Sequence, residues 1–141
     1  MTKIEWTAEN VKLPEADFEK LELWLTQVAA LHDRILGRLT YIFCDDVMIL
    51  DVNRRYLDHD YFTDIITFDY SRGRRVSGDM FISLDTVRSN SALIGAEYSD
   101  ELMRVIAHGL LHLCGINDKG PGEREIMERA ENQALALFEQ I

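Results

Sequence analysis

The sequence of 141 residues has only two cysteines, Cys44 and Cys114, and they lie far apart in apolar contexts. That spacing excludes a disulfide framework and reads as reduced, buried thiols of a cytosolic protein. No apolar run approaches the ~18 residues that a membrane span needs, so no membrane partner is expected. The opening stretch MTKIEWTAEN lacks both an apolar core and a small-residue cleavage site, which predicts a cytoplasmic protein without a signal peptide. With two prolines and no repeat or low-complexity tract there is no candidate linker, and residues 1–141 read as a single domain. Basic residues are also scarce, 15 against 25 acidic ones, for a formal charge of −10. That balance argues against a protein that coats nucleic acid.

The charge is uneven, however. Residues 34–75 carry as many bases as acids, including Arg54, Arg55, Arg72, Arg74 and Arg75, while both flanking segments are strongly acidic. This segment is either a local basic surface, with Tyr56, Tyr61, Phe62 and Tyr70 interleaved as stacking groups, or a set of solvated loop charges over core aromatics.

Hydrophobic residues make up 47% of the chain, enough for a proper core. KIEWT alternates like a strand. Pro14 then opens a helical pattern through Phe18, Leu21, Leu25, Val28 and Ala29, which Gly37 should end. RLTYIFCD suits a strand. DVMILDVNRRYL reads as a helix capped by Asp45 or Asp46, with Val47, Leu50, Val52 and Tyr56 as its apolar face. DIITFDY and VSGDMFISLD are β-rich, with SRGRR as a hairpin loop between them. A short helix covers DTVRSNSALIG. Ser99 starts a long apolar helix through Leu113, and after KGPG a last helix carries Ile126, Met127, Ala130, Ala134, Leu137 and Phe138. The predicted class is α+β: one small mixed sheet covered by helices, with a buried central helix.

That central helix ends in HGLLHLCGIND, residues 108–118. His108 and His112, four apart, fall about 40° from each other around a helix. Two buried imidazoles pointing at one place need partners, and one zinc ion satisfies both. A structural histidine pair is the plainer alternative. A catalytic zinc usually has three protein ligands, and the third should lie where the chain turns back past Gly115. Asp118 is the best candidate, ahead of the neutral Asn117. Cys114 lies about 200° from His112 and reads as core. Zinc peptidases of the H-E-x-x-H type need a glutamate where this chain has Gly109, which argues against peptide hydrolysis. Gly109 itself fits close approach of a backbone or a substrate, or helix–sheet packing.

HGLLHLCG, together with Asn53, Tyr56, TDIITF (63–68) and GDMFIS (78–83), resembles the YbeY-type endoribonucleases. The resemblance covers roughly residues 45–139; the first 44 residues add only compatible architecture. It implies a zinc-dependent, single-strand-specific endoribonuclease acting in 16S rRNA 3′-end maturation and ribosome quality control. It also implies a cytoplasmic location and rRNA and ribosomal particles as partners. His108 and His112 take the family's first two zinc positions, and one Zn2+ per chain is expected. Asp118 stands where the family has a third histidine, and two histidines with one carboxylate form a known catalytic set. His108, His112 and Asp118 are therefore the expected metal and catalytic residues. Leu57 stands where the family usually has an arginine after the tyrosine of its N-x-x-Y segment. Arg54, Arg55 and His59 are candidate substrate contacts in its place. Two rivals remain. Leu57 and Asp118 favour a non-enzymatic ribosome-assembly factor with a structural or vestigial zinc. A small-molecule or peptide metal hydrolase would use the same ligands.

Overall fold

The segment around Tyr41 is apolar at nearly every position, which marks a strand covered on both faces rather than one with a wet side. It forms the centre of the sheet in the computed structural model, which describes residues 3–57 and 63–141. In chain order the elements are β1 (Ile4–Ala8), α1 (Phe18–Leu31), β2 (Ile35–Cys44), α2 (Asp46–Leu57), β3 (Ile65–Asp69), β4 (Arg75–Ser83), α3 (Leu84–Ile94), α4 (Tyr98–Leu113) and α5 (Glu123–Phe138). The sheet runs β1-β2-β4-β3. β1, β2 and β4 are parallel neighbours, and β3 pairs antiparallel with β4 as the hairpin loop requires. The α+β class and the mixed sheet are as the pattern predicts.

Alternation along the strands splits the apolar side chains between two layers. Leu39, Tyr41, Phe43, Val76, Met80 and Ile82 join the large core with α1, α4 and α5. Cys44 and Ile66 meet Ile49 and Val52 of α2 on the opposite face. Two buried aromatics tie the large core together through their polar ends. Tyr41 Oη donates to the Ile106 carbonyl of α4 at 2.8 Å, and Trp24 Nε1 donates to the Ala134 carbonyl of α5 at 2.7 Å. Leaving either donor unpaired inside this core would cost about 1–3 kcal/mol. Both bonds fix the helices that frame the site.

Four local expectations are corrected. Pro14 does not open α1: Asp17 does, its carboxylate accepting from the Lys20 amide at 3.1 Å. Gly37 does not end α1, which stops at Leu31. It lies within β2 at the register shift against β4, where a side chain would run into the Val76 carbonyl and Ser77. Ser99 does not start α4: the chain turns helical one residue earlier, at Tyr98, and Glu97 holds the capping position without a side-chain bond. In α2, Asp45 is the cap, bonding the Met48 amide, but the buried face is Ile49, Val52 and Asn53. Val47 is 76% exposed, and Tyr56 meets Phe68 edge-on while remaining largely open to solvent.

Candidate metal centre

α4 is buried along most of its length because Leu102, Val105, Ile106, Leu110 and Leu111 face the sheet and the neighbouring helices. Gly109 lets it lie close. A Cβ there would sit within 3 Å of Met80 on β4 and Ile65 on β3, so helix–sheet packing is what this glycine serves. The remaining stripe of α4 carries His108 and His112, whose rings stand edge to face with centroids 4.5 Å apart.

The helix stops in a Schellman turn. The Gly115 amide bonds the His112 carbonyl and the Ile116 amide bonds the Leu111 carbonyl. Gly115 has φ of 95°, a conformation that a side chain would strain. Ile116 packs back onto the core, and the reversed chain carries Asp118 to the histidines. Asp118 Oδ2 lies 3.3 Å from His108 Nε2 and 3.5 Å from His112 Nε2. All three ligand-type atoms fall within 4.8 Å of one another.

These separations fit an ion. Four donors at ~2.0–2.1 Å around a tetrahedral centre are about 3.3–3.4 Å apart, close to the two Asp118 distances. His108, His112 and Asp118 thus form a group that could hold a metal ion. Asn117 lines the same cleft. Cys114 points into the core, and burial pushes its thiol up to about 11.

Behind the group stands a residue the sequence pattern did not single out. Glu131 of α5 is nearly buried, with Oε2 2.6 Å from His108 Nδ1 and Oε1 accepting from Arg104 Nη1 at 2.8 Å. The available signal was its position: it falls among Met127, Ala130 and Ala134 on the buried face of α5, a slot where an acid needs a partner. Asp64, just before β3, also lines the cleft. Burial holds its carboxyl above the usual range, although His108 and the nearby backbone amides pull the other way.

The two imidazoles differ. Burial opposes charge on both. For His108 the hydrogen bond and charge of Glu131, with Asp118 and Asp64, outweigh burial and hold its pKa above the ordinary value. For His112, burial and neighbouring His108 prevail over Asp118, and the pKa lies below it. Protonation removes the lone pair that binds a metal, so acid should release a metal held here. Affinity is expected to start falling above the ordinary imidazole pKa as His108 protonates, by about tenfold per pH unit for one displaced proton. It should steepen towards about a hundredfold per unit once His112 protonates too. Zinc titrations across a pH series check this; a flat profile through the imidazole range contradicts it.

The cleft around the group, about 500 Å3, is lined from α2 by Asn53 and Leu57, from the β3 side by Thr63, Asp64, Ile65, Ile66 and Thr67, and beyond α4 by Lys119 of the loop and Glu123 at the start of α5. Lys119 is a cation that the sequence reading passed over. Among the candidate RNA contacts, Arg54 and Arg55 are exposed on α2 outside this lining, and Arg55 pairs with Asp51 at 3.2 Å. Arg74 pairs with Asp33, and Tyr70 donates to Asp79. His59, Tyr61 and Phe62 lie outside the described residues.

The chain resembles known proteins along nearly its whole length. Curated relatives called Endoribonuclease YbeY include one from Bacteroides thetaiotaomicron, 60% identical over 134 residues, covering 95% of this chain and 98% of that protein. Another, from Porphyromonas gingivalis, is 46% identical over 140 residues, covering 99% of this chain and 93% of that one. The solution structure of TM1509 from Thermotoga maritima superposes with a TM-score of 0.63 at 20% identity, covering 96% of this chain and 88% of that one, and so shares its fold. The profile of the family described as Endoribonuclease YbeY matches residues 3–139, including the N-terminal part that the motifs left uncovered. With the histidine helix, the returning aspartate and a full-length match in hand, the chain belongs to the endoribonuclease YbeY family.

Proposed function

We propose that this protein is a zinc-dependent, single-strand-specific endoribonuclease acting in 16S rRNA 3′-end maturation and ribosome quality control. In this reading residues 1–141 form one catalytic domain, cytoplasmic, with rRNA and ribosomal particles as partners. Among the described residues no helix is long and apolar enough to cross a membrane. One observation carries the proposal: His108, His112 and Asp118 converge at an open cleft in a chain of this family.

His108 and His112 through Nε2, and Asp118 through Oδ2, would hold one zinc ion. Bound there, the ion would supply Lewis-acid polarisation of a phosphoryl oxygen and a more acidic water. The chain's own groups do the rest. Lys119 brings positive charge to the cleft, where phosphate charge must be neutralised. Leu57 and Ile65 give it apolar wall.

The test is cleavage of matched single-stranded and duplex RNA by the purified protein with and without added zinc. The expected result is zinc-dependent cleavage of the single strand and little of the duplex. Zinc uptake without any cleavage would favour the assembly-factor reading, which Leu57 supports because an apolar side chain lines the cleft where the family usually has arginine. Leu57→Arg separates these readings further. The side chain is 40% exposed, so an arginine fits without repacking. It should tighten RNA binding or speed cleavage, and the log–log salt dependence of binding should steepen by about 0.7, the increment for one phosphate contact on a single strand. Unchanged binding and cleavage across the salt series would mean that this position does not face RNA.

A further inference from the structure

We propose that Arg104 and Glu131 form a tautomer lock on His108, holding its proton on Nδ1 so that Nε2 presents a bare lone pair to the metal. This rests on the metal-centre reading above and adds two positioning residues to it.

The argument is one of donors and acceptors. Glu131 reaches α4 from α5, and each of its carboxylate oxygens meets a different α4 residue, one helical turn apart. Arg104 Nη1 donates to Oε1 at 2.8 Å, and His108 Nδ1 lies 2.6 Å from Oε2. Arg104 is steadied by a second bond, from Nη2 to Asn132 Oδ1 at 2.7 Å. A guanidinium only donates, and an ionised carboxylate only accepts. Nδ1 must therefore be the donor. A neutral imidazole carries a single N–H, so Nε2 is left bare, and Nε2 is the nitrogen that faces Asp118. Partners of this kind behind a ligating histidine fix both ring orientation and tautomer.

Glu131→Gln probes the lock with almost no change in volume. A glutamine has one accepting and one donating end. Arg104 cannot accept, so it claims the amide oxygen, and the amide N–H2 turns to His108 Nδ1. That nitrogen must then accept, which moves the proton to Nε2 and closes the lone pair. Glu131→Gln with Arg104→Met frees the amide to turn over and offer its oxygen to Nδ1.

Nitrogen-15 spectra of histidine-labelled, metal-free protein, recorded above the imidazole titration range, read the tautomer directly. The lock predicts Nδ1–H for His108 in the wild type, Nε2–H in Glu131→Gln, and Nδ1–H again in the double variant. Zinc affinity, measured by competition with a chromophoric chelator, should fall about 10–100-fold in Glu131→Gln and largely recover in the double variant. A Glu131 that acted only through packing or charge would leave the tautomer unmoved. A wild type that binds zinc while His108 keeps Nδ1–H in Glu131→Gln overturns the lock alone. A wild type that takes up no zinc overturns the metal reading and the lock's purpose with it.

Discussion

His112→Ala is expected to lower zinc affinity by about 10²–10³-fold and to remove zinc-dependent RNA cleavage while leaving the fold intact. Structural zinc sites bind with roughly 10–16 kcal/mol, so each of four ligands carries about 2.5–4 kcal/mol. Losing one costs two to three decades in affinity. The fold should survive for separate reasons. The imidazole lies at the cleft with its side chain 26% exposed, and its backbone already sits in the last turn of α4. Alanine is the better helix former by up to about 0.7 kcal/mol. The Schellman turn that follows is held by main-chain bonds, one of them to the carbonyl of residue 112, so losing the ring's own hydrogen bond to the Ile116 backbone leaves it in place. Chelator competition and circular dichroism on the same preparation check both halves. A folded His112→Ala protein with wild-type affinity would take this ring out of the metal centre.

Much of the site is local in the chain, and for that reason it can be read from the sequence. His108 and His112 are four residues apart on one helix, Gly115 ends that helix, and Asp118 follows three residues later. Helix geometry alone brings the first two together, and a left-handed turn returns the third. Glu131 shares none of this locality. It reaches His108 across 23 residues and a helix–helix packing, so only its place on the apolar stripe of α5 could betray it. The same distinction separates what was and was not visible in the fold. The strands and helices follow from periodicity, but Gly37 resembles a helix stop and serves instead the close β2–β4 approach. Likewise Val47 and Ile49 are equally apolar in the sequence. Which one faces the sheet depends on how α2 rolls against Cys44 and Ile66, a tertiary choice. The wall of the cleft is the least legible part. It is assembled from α2, β3 and the loop after α4, and Lys119 gains meaning only once those elements meet.

Asp118 offers the sharper test of the metal centre, because its neighbours in sequence allow three side chains of matched reach to be compared. In aspartate, asparagine and histidine the first possible donor, Oδ or Nδ1, lies two bonds beyond Cβ. Reach is therefore held constant while donor quality changes. Asp118→Asn keeps an oxygen at the site but removes its charge, and a neutral amide is a poor zinc ligand compared with a carboxylate. Zinc affinity should fall about 10–100-fold, on the scale of one weakened ligand. Asp118→His supplies an imidazole, the donor expected here from the family resemblance, and should bind zinc within about tenfold of wild type. Neither change should do much to the metal-free fold. The contacts of Asp118 Oδ2 with the two rings at 3.3 and 3.5 Å are partly exposed and become ion pairs only when an imidazole is protonated, so each is worth at most about 0–1 kcal/mol. Loss of affinity would thus not reflect unfolding, which urea denaturation of the metal-free variants verifies. If Asp118→Asn instead binds zinc as tightly as wild type, Asp118 is a loop acid that happens to face two histidines, and Asn117, which lines the same cleft, takes its place as the next residue to substitute.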